Sequence, residues 1–230
     1  MIYITGDLHR DFTRVFAFAR KKQTTKEDIL IVLGDVGINY YLDDSDKILK
    51  EKLQELPLTL FCIQGNHEER PENISSYKET NFLEGIVFKE DKYPNLLFAK
   101  DGEIYNFLNM KTLVIGGAYT IDKYYRIKYG HHWFKDEEPS EKTKQKVLEK
   151  IKKQTPIDVI LTHTAPYKYL PREMFLEGVD QNYVDQKTEY FLDKVEELVP
   201  YKKWYCGHFH TDKRIDKIVF LYQDIEEYPK

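Results

Sequence analysis

Five short polar clusters carry the residue types that hold divalent metal ions. They are Gly6-Asp7-Leu8-His9, Gly34-Asp35, Gly65-Asn66-His67-Glu68, Thr162-His163 and Gly207-His208-Phe209-His210. Together they offer carboxylate and amide oxygens and imidazoles, with no thiolate. That donor set suits Mn²⁺, Fe, Zn²⁺ or Co²⁺ and argues against a cysteine-type structural zinc site. Each cluster alone has a plainer reading. Gly-Asp is a common turn or helix cap, Asn66 a left-handed turn residue, and His163 a hydrogen-bonded core histidine. His208 and His210 are harder to explain that way, because residues two apart beyond a strand share a face. Five such clusters in order, each closing an apolar run, point jointly to a metal site.

The elements that must position them alternate. Met1–Thr5, Ile29–Leu33 and Thr59–Ile63 are apolar runs of strand length, and helical spacing marks Asp11–Lys22 and Ser45–Leu56 between them. Parallel strands with crossover helices follow. The middle of the chain changes character: Gly85–Lys89, Leu96–Ala99, Glu103–Phe107 and Lys111–Ile115 are short and separated by turn-formers, which predicts an antiparallel portion. A charged helix over Ser140–Gln154, a strand over Ile157–Leu161, a helix over Thr188–Val199, a strand over Lys203–Cys206 and a last strand over Ile215–Leu221 complete the reading. In an open α/β sheet, residues just past the carboxyl ends of strands gather along one edge, where ligands bind. Glycine precedes the polar residue in four of the five clusters and allows a sharp turn close to a ligand. No repeat, low-complexity tract or linker divides residues 1–230, so one domain is expected.

The ordered set Asp-x-His, Gly-Asp, Gly-Asn-His-Glu, His and Gly-His-x-His resembles the calcineurin-like metallophosphoesterase superfamily over almost the whole chain. The resemblance implies an α/β fold: a two-sheet mixed β-sandwich flanked by helices, with a dinuclear metal centre on loops at one edge. It assigns one ion to Asp7, His9, Asp35 and His210 and the other to Asp35, Asn66, His163 and His208, with Asp35 bridging. It implies two divalent ions, manganese first and Fe, Zn²⁺, Co²⁺ or Ni²⁺ as alternatives. Catalysis would fall to Asp35 and to His67, which would protonate or contact the leaving group after attack by a metal-bridging hydroxide. Glu68 either orients His67 or anchors its loop, or is a solvated charge. The Gly-Asp cluster continues as Val36-Gly37-Ile38-Asn39-Tyr40, without the Asp-Arg of the phosphoprotein phosphatase branch, and Glu69-Arg70 follow Glu68. A protein Ser/Thr phosphatase is therefore disfavoured.

The implied activity is hydrolysis of a phosphodiester on a nucleotide or nucleic-acid end. The alternatives are a phosphomonoesterase, a nucleoside-polyphosphate hydrolase, or an idle metal-binding scaffold. The full set of ligand types weighs against the scaffold. Residues 116–139 are dense in aromatic and basic side chains. Tyr119, Lys123, Arg126, His131 and Trp133 there are candidate substrate contacts, in a stretch that resembles one in RNA lariat debranching enzymes. The competing view is that these aromatics pack a helical excursion against the sheet. With Lys+Arg 35 against Asp+Glu 39, the net charge of -4 argues against avid, sequence-independent nucleic-acid binding but not against a small phosphorylated substrate. Charged residues interrupt the apolar start, no stretch is long enough to span a membrane, and the two cysteines make no disulfide framework. Cytoplasmic residence without membrane partners is expected; oligomeric state is unreadable.

Overall fold

Alternate residues along the central strands face two different cores, which is why those strands read as continuous apolar runs. In the computed structural model, which describes residues 1–153 and 156–229, strand β1 (Ile2–Thr5) pairs in parallel with β2 (Ile29–Val32), placing Ile2 opposite Ile29 and Ile4 opposite Ile31. The helices α1 (Thr13–Lys22) and α2 (Asp44–Leu53) connect β1 to β2 and β2 to β3 (Thr59–Cys62). Next come β4 (Tyr77–Phe82), β5 (Gly85–Glu90), β6 (Leu96–Ala99), β7 (Ile104–Phe107) and β8 (Met110–Ile115). The chain continues through α3 (Lys123–Tyr129), α4 (Glu141–Lys153), β9 (Val159–Thr162), α5 (Lys187–Leu198) and β10 (Lys203–Cys206). It ends in β11 (Lys213–Ile215), β12 (Ile218–Phe220) and β13 (Ile225–Glu227).

Two mixed sheets result, in the orders β13-β1-β2-β3-β6-β5-β4 and β11-β12-β10-β9-β8-β7. Each has four parallel strands at its centre (β1, β2, β3, β6 and β12, β10, β9, β8) and antiparallel strands at its edges. Ile4, Ile31, Phe61, Val114, Leu161 and Tyr205 pack between the sheets. On the outer face of the first sheet Leu30, Val32 and Leu60 meet Val15 and Ala19 of α1 and Leu53 of α2. On the outer face of the second, Leu113, Ile160 and Trp204 meet Val147 and Ile151 of α4 and Leu192 and Val195 of α5. This is the expected two-sheet mixed sandwich flanked by helices.

Several local expectations change. Ile215–Leu221 is not one strand: Asp216 takes φ 54° and turns the chain, so Lys213–Ile215 and Ile218–Phe220 form an antiparallel pair. The parallel strand-and-helix alternation stops at β3, after which a 3-10 turn over Pro71–Asn73 leads into β4. Strands β4 (YKETNF) and β13 (IEE) lie at sheet edges and are largely solvent-facing, so no apolar run announced them. The Gln154 end of the expected charged helix lies outside the described residues. Cys62 and Cys206 are unpaired and buried, as expected of small apolar fillers.

Candidate metal centre

The parallel strands bring their carboxyl ends to one edge, and the five clusters leave from there. Asp7 and His9 follow β1, Asp35 follows β2, Asn66 and His67 follow β3, His163 follows β9, and His208 and His210 follow β10. The backbone of these loops is strongly bent: His9, Asp35, His208 and His210 all have φ between +44° and +68°. L-residues hold that conformation only where the surroundings fix it, and such strain concentrates at functional sites. Gly34 has φ +94°, and a Cβ there would lie 2.2 Å from the His163 ring; at Gly207 a Cβ would lie 2.4 Å from Asp7 Oδ1. Both loops therefore need glycine to let the donors close up.

The donors converge. Asp7 Oδ2 lies 3.3 Å from His210 Nε2 and 3.6 Å from His9 Nε2, and those two nitrogens are 2.9 Å apart. His163 Nε2 is 3.5 Å from Asp35 Oδ1 and 2.9 Å from Asn66 Oδ1. His9 Nδ1 is 4.0 Å from Asp35 Oδ2, and the rings of His163 and His208 meet at 4.9 Å between centroids. Among the described residues, two groups have ligand atoms mutually within 4.8 Å: Asp7, His9, His210 and Asp7, Asp35, His163. Asp7 Oδ2 is buried without a hydrogen bond, which is costly unless a cation completes it. The arrangement of oxygen and imidazole donors thus fits divalent ions.

The surrounding bonds orient these donors. His163 donates from Nδ1 to the Leu33 carbonyl (2.7 Å), leaving Nε2 toward the site. Asn66 donates from Nδ2 to Thr120 Oγ1 (2.9 Å), which turns its Oδ1 inward. Asp7 Oδ1 accepts from His208 N, and Asp35 Oδ1 from His67 N. Glu68 is fully buried and accepts from the backbone N–H groups of Gly65, Gly37 and Val36, so it anchors two ligand loops to each other rather than facing solvent. Arg14 donates to the Asp7 carbonyl (2.8 Å) and the Tyr222 carbonyl (2.6 Å).

The electrostatics favour a cation. Burial disfavours charge on Asp35 and Asp7, yet the neighbouring histidines outweigh it, and Asp35 is held well below the usual carboxylate range. Burial likewise opposes charge on His163, but Asp35 and Asp7 overcome it and push its pKa up to about 9. His208, buried and beside His163, falls to about 3 and is neutral. Burial lowers His67 as well, which favours the neutral ring with its one N–H. Glu68 rises to about 8 through burial.

A cavity of about 410 Å³ opens beside the donors and is lined by Asp35, Asn66, His67, His208 and His210 on the metal side. Tyr119 and Arg126 reach it from the 116–139 segment. Lys123, His131 and Trp133 do not line it. Lys123 sits over the Trp133 ring at 4.2 Å, His131 stacks on Tyr125, and Trp133 lines a separate cavity with Leu42 and Asn73. Sequence reasoning missed the other wall, which runs from Leu170 to Glu189. It also missed Thr120 and Arg14, whose roles depend on partners distant in the chain. Only Glu68, adjacent to Asn66 and His67, carried a usable signal.

A family model described as calcineurin-like phosphoesterase matches residues 1–212. One solved structure, the crystal structure of TT1561 of Thermus thermophilus, is 12% identical with a TM-score of 0.50, covering 96% of this chain and 87% of its own. A second solved structure is 13% identical with a TM-score of 0.50, covering 96% and 88%. At these identities the likeness concerns the fold. No curated protein matches the chain.

Proposed function

The chain belongs to the calcineurin-like phosphoesterase family, whose chemistry is metal-dependent phosphoester hydrolysis, and from that premise we propose that it cleaves a phosphodiester on a nucleotide or nucleic-acid end. One ion is assigned to Asp7, His9, Asp35 and His210, the other to Asp35, Asn66, His163 and His208, with manganese the first choice. Such a pair, when bound, lowers the pKa of water and offsets charge on the phosphoryl oxygens.

The chain's own residues do the rest. Thr120 and the Leu33 carbonyl hold Asn66 and His163 in the orientation that presents their donor atoms. His67 is tethered through its backbone to Asp35 and lines the cavity, where its ring N–H would meet the departing oxygen. Tyr119 and Arg126 would contact the ester from the cavity wall, and Lys123, His131 and Trp133 would shape the 116–139 recognition segment within one domain of residues 1–230. Cytoplasmic residence is part of the proposal, supported by two buried, unpaired thiols.

The observation that carries it is the meeting of these donors, from both sheets, at the mouth of a cavity. The test is turnover of bis(p-nitrophenyl) phosphate and p-nitrophenyl phosphate, side by side, by metal-stripped protein refilled with Mn²⁺. The diester should be preferred, and Asp35→Asn should be inactive. Preference for the monoester overturns the diester assignment; inactivity on both with two ions bound overturns hydrolysis.

A further inference from the structure

The walls of the cavity beside the metal edge have a charge pattern of their own. Arg126 is its single lysine or arginine side chain among the described residues, and it is paired with Asp122 at 2.7 Å. Asp185 is paired with Lys187 at 2.6 Å. Glu189 remains. It is 5% exposed, accepts from Thr164 Oγ1 at 2.8 Å through Oε1, and leaves Oε2 buried without a hydrogen bond. Burial pushes its pKa up to about 7, so near pH 7 about half of these carboxyls are ionised, and the group offers nothing to attract a polyanion. Between these groups the surface is apolar and partly aromatic: Tyr119, Leu170, Phe175, Val184 and Phe209. At about 410 Å³ the space falls near the lower end of the range of small-molecule sites, roughly 300–1,000 Å³.

We propose that this cleft takes the part of the substrate esterified to the reacting phosphate as an uncharged ring system of nucleoside size. The ring's polar edge donates a hydrogen bond to Glu189, and substrates carrying further phosphates are turned away. The apolar walls supply burial. The orphaned carboxyl oxygen supplies selection, since a buried acceptor left unmet is costly and a ligand N–H removes that cost. A second phosphate would find no lysine or arginine in the wall besides Arg126, which is paired with Asp122 and would already be engaged by the reacting ester. This proposal rests on the diesterase assignment above and narrows its substrate class.

The test is calorimetry on the Mn²⁺-loaded protein with four ligands: adenosine 5′-monophosphate, purine-riboside 5′-monophosphate (which lacks the exocyclic amine), methyl phosphate and adenosine 3′,5′-bisphosphate. Adenosine monophosphate should bind at least about tenfold tighter than methyl phosphate, and the bisphosphate weaker than the monophosphate. The purine riboside should lose about tenfold, and Glu189→Gln should erase that difference while keeping the bond from Thr164. Leu176 is 62% exposed, so Leu176→Asp should fold normally; it should weaken adenosine monophosphate more than methyl phosphate. Equal binding of methyl phosphate and adenosine monophosphate, or tighter binding of the bisphosphate, overturns the proposal. If binding follows the expected order but no p-nitrophenyl diester is turned over, the diesterase assignment has failed and the cleft has not.

Discussion

Along the metal edge each donor stands within four residues of a parallel strand's end, and the loops are tied to one another. The amides of Leu8 and His9 donate to the Asp35 carbonyl, that of Gly207 to the His163 carbonyl, and that of Gly117 to the Gln64 carbonyl. The wall from Leu170 to Glu189 is built differently. Between β9 and α5 the chain makes three isolated 3-10 turns over Tyr167–Tyr169, Arg172–Met174 and Gln181–Tyr183, closed by local bonds, and Leu176 and Tyr183 are largely exposed. On the proposed function the contrast separates two tasks. Binding ions demands positional precision, which two interlocked sheets supply. Accepting a substrate tolerates a surface held at fewer points, of which Glu189 on Thr164 and Thr188 on Glu138 are two.

Substitutions can break or sharpen that contrast. The largest effect belongs to Asp35→Asn at the edge: kcat/KM should fall by about a thousandfold or more, with loss of bound metal read by elemental analysis. Full metal content in that variant would show that the edge does not depend on Asp35. In the wall, Glu189→Gln should alter stability in a pH-dependent way. Glu189 has a folded-state pKa near 7 against 4.5 for an ordinary Glu carboxyl, so the native state binds its proton more tightly than the unfolded state. Native stability from this group is therefore complete below about pH 4.5 and is lost as pH rises toward 7. Urea unfolding of metal-free protein should find the variant more stable than wild type by up to about 3 kcal/mol at pH 8, and nearly equal at pH 4.5. A constant difference across that range would remove the buried-carboxyl account.

Thr120→Val tests whether orientation at the edge matters as much as ligation. It frees the Asn66 amide, and affinity for Mn²⁺ should drop about ten- to hundredfold with the fold intact by circular dichroism. The smallest effect is expected of Leu176→Ala, on the exposed wall. Stability should change by no more than about 0.5 kcal/mol, with metal content unchanged. A large loss of metal there would mean that wall and edge are one mechanical unit.

Much of the edge was legible in the chain because its signals are local. Apolar runs of four or five residues ending in Gly plus a polar donor state both the strand and what its carboxyl end must present. The two-sheet fold followed from the resemblance those motifs carry. Strands β4 and β13 were not legible, since as edge strands with charged, solvent-facing residues they bury too little to leave an apolar pattern. The split of Ile215–Leu221 depended on Asp216 adopting a positive φ, which its side-chain type permits but does not announce.

The sequence by itself determined which side chains stand at the strand ends, because side-chain period and strand length are properties of a few adjacent residues. Only the tertiary structure decided what surrounds them. Thr120 meets Asn66 from 54 residues away, Tyr119 and Arg126 reach the cavity while Lys123, His131 and Trp133 do not, and Glu189 is left with a buried, unmet oxygen. The physical reason is that burial, partner and field belong to the packed arrangement of distant segments. A carboxylate reads the same in the chain whether it ends in water, anchors two loops as Glu68 does, or waits in a wall as Glu189 does.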